Sequence, residues 1–195
     1  MSINIEYEER VMISEDHYYA LLTPLLRRSN DHSFIMQTNI YIDTPDFYLK
    51  EHHMVLRIRI IQPFDVEMTL KVKGKDGDTE HNQQLTYQDY QAYMINKILP
   101  EGDINSLLRE TYKIDLSLLE PRTSLDTRRY EEKIDDYLLV LDKNTYNGIE
   151  DYNLEIEASS MKRAKEVMQK ICDEQGIEFI HCKSKSRRAF DSVKK

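Results

Sequence analysis

At 195 residues, 40% hydrophobic and 32% charged, the chain can bury a substantial core and is expected to form one domain over 1–195. A net charge of −8 excludes a broadly basic nucleic-acid surface but leaves room for a local basic pocket. There is no membrane-length apolar run and no leader-like N-terminus, and Cys172 and Cys182 make no disulfide framework, so a cytoplasmic protein with no membrane or nucleic-acid partner is expected.

In chain order, a strand near 3–10 puts Ile3, Ile5 and Tyr7 on one face and Glu6, Glu8 and Arg10 on the other. Ser14 caps a helix over 15–28, with Leu21, Leu22, Leu25 and Leu26 on one side and Pro24 set to kink or shorten it. A strand near 35–42 precedes one at 54–61, where Met54, Leu56, Ile58 and Ile60 oppose Arg57 and Arg59. At 66–73, Val66, Met68, Leu70 and Val72 oppose Glu67, Thr69, Lys71 and Lys73. A turn at 75–78 leads to a strand near 79–85. Thr86 and Asp89 form a capping box for a helix over 87–98 that stops before Pro100, and a shorter helix near 103–112 follows. Strands near 124–134 and 137–144 lead through an Asn147-Gly148 turn to 151–158, where Tyr152, Leu154, Ile156 and Ala158 oppose Asn153, Glu155 and Glu157. Ser160 then opens a helix whose apolar stripe runs from Met161 to Cys172 and which ends at Gly176. Short connections imply antiparallel pairing among about eight strands.

The polar faces sort their charges in an informative way. A solvated strand face usually interleaves lysine and glutamate. Here Glu6 and Glu8 share one strand, Arg57 and Arg59 another, Lys71 and Lys73 a third, Glu155 and Glu157 a fourth. Like charges two residues apart sit roughly 6.5–7 Å from one another on one face and repel unless an opposite charge lies between them. Acidic pairs suit a hard divalent cation, basic pairs a polyanion with phosphate oxygens. Together they point to metal-bound polyphosphate; a solvated face is the plain alternative.

The ordered motifs carry a resemblance. Glu6-Tyr7-Glu8-Glu9-Arg10 resembles the ExExK signature of the CYTH superfamily, the triphosphate tunnel metalloenzymes. Further matching blocks follow in order: residues 37–44, Leu56-Arg57-Ile58-Arg59, Thr69-Leu70-Lys71, Leu125 through Arg129, Leu141-Asp142, Asp151 through Glu157, and Lys183-Ser184-Lys185. They span nearly the whole chain, which resembles the small single-domain CYTH proteins of Gram-positive bacteria. The resemblance implies an α+β fold: an eight-stranded antiparallel β-barrel, the triphosphate tunnel, with helices packed outside. It implies Mg²⁺ or Mn²⁺ held by Glu6, Glu8, Glu155 and Glu157 with Asp142 assisting. Phosphates would be held by Arg10, Arg57, Arg59, Lys71, Lys73, Arg129 and Lys185, and catalysis would draw on Glu6, Glu8, Lys71 and Asp142. Arg129 is favoured over Arg128 because it shares a face with Thr127. The implied activity is metal-dependent hydrolysis of the terminal phosphate of a triphosphate: inorganic triphosphate, thiamine triphosphate or a nucleotide. An adenylate cyclase and a non-catalytic polyphosphate or nucleotide sensor remain open.

Two residues depart from the signature. Arg10 replaces its lysine and, staying protonated, can grip phosphate but cannot act as a base. Asn153 replaces a glutamate found in many relatives. His52-His53 and His181-Cys182 lack zinc-motif spacing and read as surface or loop residues, and Cys172 reads as core.

Overall fold

The alternating segments pair into one antiparallel sheet. The computed structural model describes residues 2–28, 33–75 and 77–193. Its strands are β1 (Ser2–Glu6), β2 (Glu8–Ile13), β3 (Ile35–Asp43), β4 (Met54–Ile61), β5 (Asp65–Val72), β6 (Asp78–Leu85), β7 (Glu120–Ile134), β8 (Tyr137–Tyr146) and β9 (Ile149–Ala158). Their spatial order is β1-β6-β5-β4-β3-β7-β8-β9-β2. The two edge strands are consecutive pieces of chain parted only by Tyr7, so the curled sheet closes on itself there. Nine strands replace the eight expected because the first is interrupted: its front half pairs with β6 and its back half with β9. The Tyr7 carbonyl accepts a hydrogen bond from the Ala158 amide at 3.1 Å, fixing the crossover.

Local chemistry explains the helices. In α1 (Glu15–Arg28), Ser14 Oγ accepts from the His17 amide, and Pro24 sits inside the helix without ending it. A four-residue helix, α2 (Tyr48–Glu51), follows β3; its backbone amides at Leu49 and Lys50 donate to the buried Asp43 carboxylate. In α3 (Tyr87–Asn96) the Thr86–Asp89 capping box is present, and Lys97, with φ 57°, ends the helix before residue 98. The segment near 103–112 divides into α4 (Asp103–Ser106) and a π-helical turn, Leu107–Thr111. Ser160 caps α5 (Met161–Gln175), which Gly176 ends in the left-handed region at φ 66°. The last helix, α6 (Lys185–Asp191), has no apolar periodicity long enough to announce it. Asn147 and Gly148 both take positive φ, as a two-residue hairpin turn requires. The turn expected at 75–78 includes Asp76, which lies outside the described residues.

The apolar strand faces point outward beneath the helices. Val11, Leu141, Leu154 and Ile156 pack under Leu22 and Leu25 of α1 and Val167, Met168 and Cys172 of α5. Leu56, Ile58, Met68 and Leu70 pack under Tyr93, Ile104 and Leu108. Each fully buried side chain of this size contributes roughly 1.5–3 kcal/mol of transfer free energy. With the apolar faces spent outside, the polar faces are left to line the interior. No helix among the described residues is long and apolar enough to cross a membrane.

Candidate functional site

Period-two alternation on β2, β4, β5, β7 and β9 delivers the charged pairs into one cavity of about 770 Å³. Glu6, Glu8, Arg10, Arg57, Arg59, Lys71, Lys73, Arg129, Glu155, Glu157 and Lys185 all line it. Asp142 does not: it is fully buried behind the lining, where it holds Arg129 through two contacts of 2.9 and 3.0 Å and Lys185 at 2.7 Å. Asp142, expected to assist at the metal, therefore reaches the cavity through Arg129 and Lys185.

One wall is acidic. Register sets Glu8 opposite Glu157 and Arg10 opposite Glu155. One carboxylate oxygen from each of Glu8, Glu155 and Glu157 lies within 4.8 Å of the others. Three hard oxygen donors so close, from two adjacent strands, fit a divalent cation such as Mg²⁺ or Mn²⁺. Glu6 stands apart from this trio, with Lys71.

The acidic wall carries its own counterions. Glu155 Oε1 accepts from Arg10 Nε at 3.2 Å and Lys185 Nζ at 2.6 Å, and its Oε2 from Arg129 Nη2 at 3.2 Å. Burial pushes the Glu155 carboxyl up, but Lys185, Arg10 and Arg129 outweigh it and hold the group well below the usual carboxylate range. Arg10 also donates to Glu8, and with Lys71 it brings Glu8 down to about 2 against the opposing effect of burial. Lys71 meets Glu6 at 2.8 Å, Glu8 at 3.2 Å, Glu80 at 3.4 Å and Asp78 at 3.7 Å, which holds its ammonium charged well above its ordinary range despite burial. Glu157 differs from the rest. It makes no ion pair among the described residues, and burial, Glu6 and Glu8 together push it up to about 7.

The opposite wall, on β4, is cationic and poorly neutralised. Arg59 Nε donates to Asn39 Oδ1 at 3.2 Å and has no carboxylate within ion-pair distance among the described residues. Burial, then the neighbouring Arg57 and Arg129, lowers Arg59 to about 10. Arg57 reaches Glu80 only at 3.7 Å, and its Nε is buried without a hydrogen-bond partner. A buried guanidinium donor left unmet calls for an anion. Arg128, by contrast, faces outward and lies 3.8 Å over the Phe34 ring, as the choice of Arg129 required.

Part of the interior is filled by α6. Ala189 and Phe190 of α6 pack inside against Tyr41, Leu125 and Tyr146, so the interior is apolar there rather than polar throughout. Arg188 ties α6 to Asp151 at 2.9 Å and to Asn153 at 3.0 Å, and Lys50 reaches Asp191 at 2.9 Å. Asn153, the departure from the motif, thus serves this interior network; it also donates toward Asp142.

Sequence reasoning missed Glu80, which is 4% exposed and inside the cavity beside Arg57 and Lys71. Strand β6 reads Asp-Thr-Glu-His-Asn-Gln-Gln-Leu, polar on both faces, so no alternation phase marked Glu80 as inward. His53, His181 and Cys182 also line the cavity, but they form no grouping with the carboxylate trio.

A closed antiparallel sheet whose interior opposes a carboxylate trio to an arginine pair has a charge layout that fits a polyanion and a divalent cation side by side. The chain belongs to the CYTH domain family, which it matches over residues 4–190. It is 31% identical to YjbK of Bacillus subtilis, a candidate triphosphatase, over all of this chain and 99% of that one. A solved structure of the candidate adenylate cyclase bh2851 from Bacillus halodurans is 31% identical, with a TM-score of 0.88 over 97% of this chain and all of that one. HpAC1 from Hippeastrum, a candidate adenylyl cyclase described as having a dominant triphosphatase activity, shares the fold at 21% identity and a TM-score of 0.74, over 97% and 96% of the two chains.

Proposed function

We propose that the chain is a metal-dependent triphosphatase that releases the terminal phosphate of a small triphosphate inside the tunnel. The observation that carries this reading is the facing of a poorly neutralised arginine wall, Arg57 and Arg59, and the carboxylate trio Glu8, Glu155 and Glu157 across one cavity. The resemblance to YjbK supports the same activity.

Phosphoryl transfer asks the protein mainly to align the chain of phosphates and to neutralise charge as it develops. Arg57, Arg59, Lys71 and Lys73 would hold non-bridging oxygens from one wall, with Arg129 and Lys185 reaching the same anion from the other side. A divalent cation held by Glu8, Glu155 and Glu157 would supply charge neutralisation and acidify a bound water. Asp142 positions Arg129 and Lys185 by gripping both from behind. Glu6 and Lys71 form a charged pair at the cavity edge, and Lys71, held protonated by four carboxylates, is a phosphate-gripping group rather than a base.

The decisive test is product analysis. Purified protein incubated with tripolyphosphate, thiamine triphosphate or ATP, with Mg²⁺ or Mn²⁺, is expected to release orthophosphate from at least one, with none released under EDTA. Pyrophosphate with a cyclic nucleotide as products of ATP would replace this reading by a cyclase. Tight binding of all three without turnover would replace it by a sensor.

A further inference from the structure

Arg10 occupies oxygens of the carboxylates that would hold the metal. Its guanidinium touches two carboxylates, Glu8 and Glu155, and both belong to the trio that would hold a cation. Arg129 is different: Asp142 grips it bidentately from outside the trio, so it keeps a partner whatever happens to Glu155. Lys185 likewise retains Asp142. Arg10 has no such second home among the described residues. Its side chain, 12% exposed, lines the cavity, and the unmet anion site on β4 lies across that same space.

The lone-pair count on Glu155 makes the competition concrete. A carboxylate oxygen offers roughly two acceptor directions. Oε1 is filled by Arg10 and Lys185, and Oε2 already accepts from Arg129. Oε2 keeps one direction open, but a cation that binds Glu155 through Oε1 has to displace a protein donor. Arg10 is the donor whose other partner, Glu8, is claimed by the same cation.

Resting on the triphosphatase reading, we propose that Arg10 is an internal counterion that changes partners on loading: it leaves Glu8 and Glu155 to the divalent cation and turns to the phosphate oxygens. Metal and polyanion then each remove an obstacle to the other. The metal frees a guanidinium for phosphate, and the phosphate takes the guanidinium away from the metal's carboxylates. Coupling of this kind is reciprocal, so either ligand alone binds less well than in the other's presence. An arginine suits this role because it stays charged in both positions.

Two binding measurements on the whole chain test the proposal without turnover and without metal–phosphate chelation in solution. The first titrates Mn²⁺ alone, read by calorimetry or by electron paramagnetic resonance of free Mn²⁺. Arg10→Met is expected to tighten Mn²⁺ about tenfold, whereas Arg59→Met, which removes a tunnel cation that touches no carboxylate, changes it less than about threefold. The second titrates tripolyphosphate alone in EDTA. Glu155→Gln is expected to tighten it about tenfold and Glu157→Gln, which has no cation to release, less than about threefold. Thermal melts confirm that each variant is folded. Should Arg10→Met fail to fold, the Glu155→Gln titration decides alone. Equal effects of Arg10→Met and Arg59→Met, or unchanged affinities throughout, overturn the exchange while leaving the triphosphatase reading intact. Failure of the native chain to bind either ligand overturns both.

Discussion

The two walls of the tunnel handle buried charge in opposite ways. On β2 and β9 the carboxylates Glu8 and Glu155 are paired with Arg10, Lys71, Lys185 and Arg129, so that wall, Glu157 excepted, is largely satisfied in the absence of ligand. On β4, Arg57 and Arg59 face each other's field with one amide contact, one long ion pair and an orphaned Nε. A paired wall stabilises the fold and must be disrupted to work; an unpaired wall costs stability and waits for its ligand. In the proposed reading, the stored cost lies where the anion would land and the stored pairing where the cation would.

The largest expected effect breaks the paired wall. Glu155→Ala should lower turnover by on the order of 100-fold or more and should also destabilise the ligand-free protein by about 3 kcal/mol, because three cations lose a buried partner. Steady-state kinetics and denaturant unfolding measure the two arms. Next is the unpaired wall. Arg59→Met should weaken tripolyphosphate binding by ~1.5–3 kcal/mol yet leave the ligand-free protein as stable as before or more so, since it removes an unneutralised charge. Loss of stability equal to that of Glu155→Ala would erase the contrast between the walls.

Glu157 sharpens the comparison through pH. Its folded value of about 7 lies above the ordinary carboxylate value, so the folded state binds the proton more tightly than the unfolded one. Stability from this group is present at low pH and is lost as pH rises toward and through 7. Glu157→Gln should therefore stabilise the ligand-free protein by about 1–2 kcal/mol at pH 8 and hardly at pH 5. A divalent cation also competes with that proton, so Mn²⁺ affinity should fall as pH drops below about 7, which calorimetry across pH 5.5–8 would follow. Smaller still is Arg10→Lys. A lysine keeps the charge but not the fork that spans Glu8 and Glu155, and turnover should stay equal or fall. A large gain would mean that a lysine base is what the native chain lacks.

Where apolar and polar residues alternate cleanly, the sequence was legible. On β4, β5 and β9 the outward apolar face fixed the phase, and Arg57, Arg59, Lys71, Glu155 and Glu157 followed inward by default. The motif order then joined strands far apart in sequence. Three things escaped. Glu80 was hidden because β6 is polar on both faces. Asp142 shares the inward phase, and only side-chain packing shows Arg129 and Lys185 standing between it and the cavity. The apolar plug formed by α6 depends on a seven-residue helix too short to leave a periodic signature.

The interruption at Tyr7 has a consequence for how the chain folds. Residues 2–13 pair with residues 78–82 on one side and 152–157 on the other, and Val11 also bridges to His181. Every other neighbouring pair except β3 with β7 is a local hairpin. Because long-range pairing pays its loop-closure entropy before it gains contacts, the N-terminal strand is expected to dock last, like a zip drawn across two finished edges. Until it arrives, β6 and β9 expose unpaired backbone to any passing strand. The residues that bring Glu8 and Arg10 to Glu155 and Glu157 are therefore the same ones that keep newly made chains from joining edge to edge.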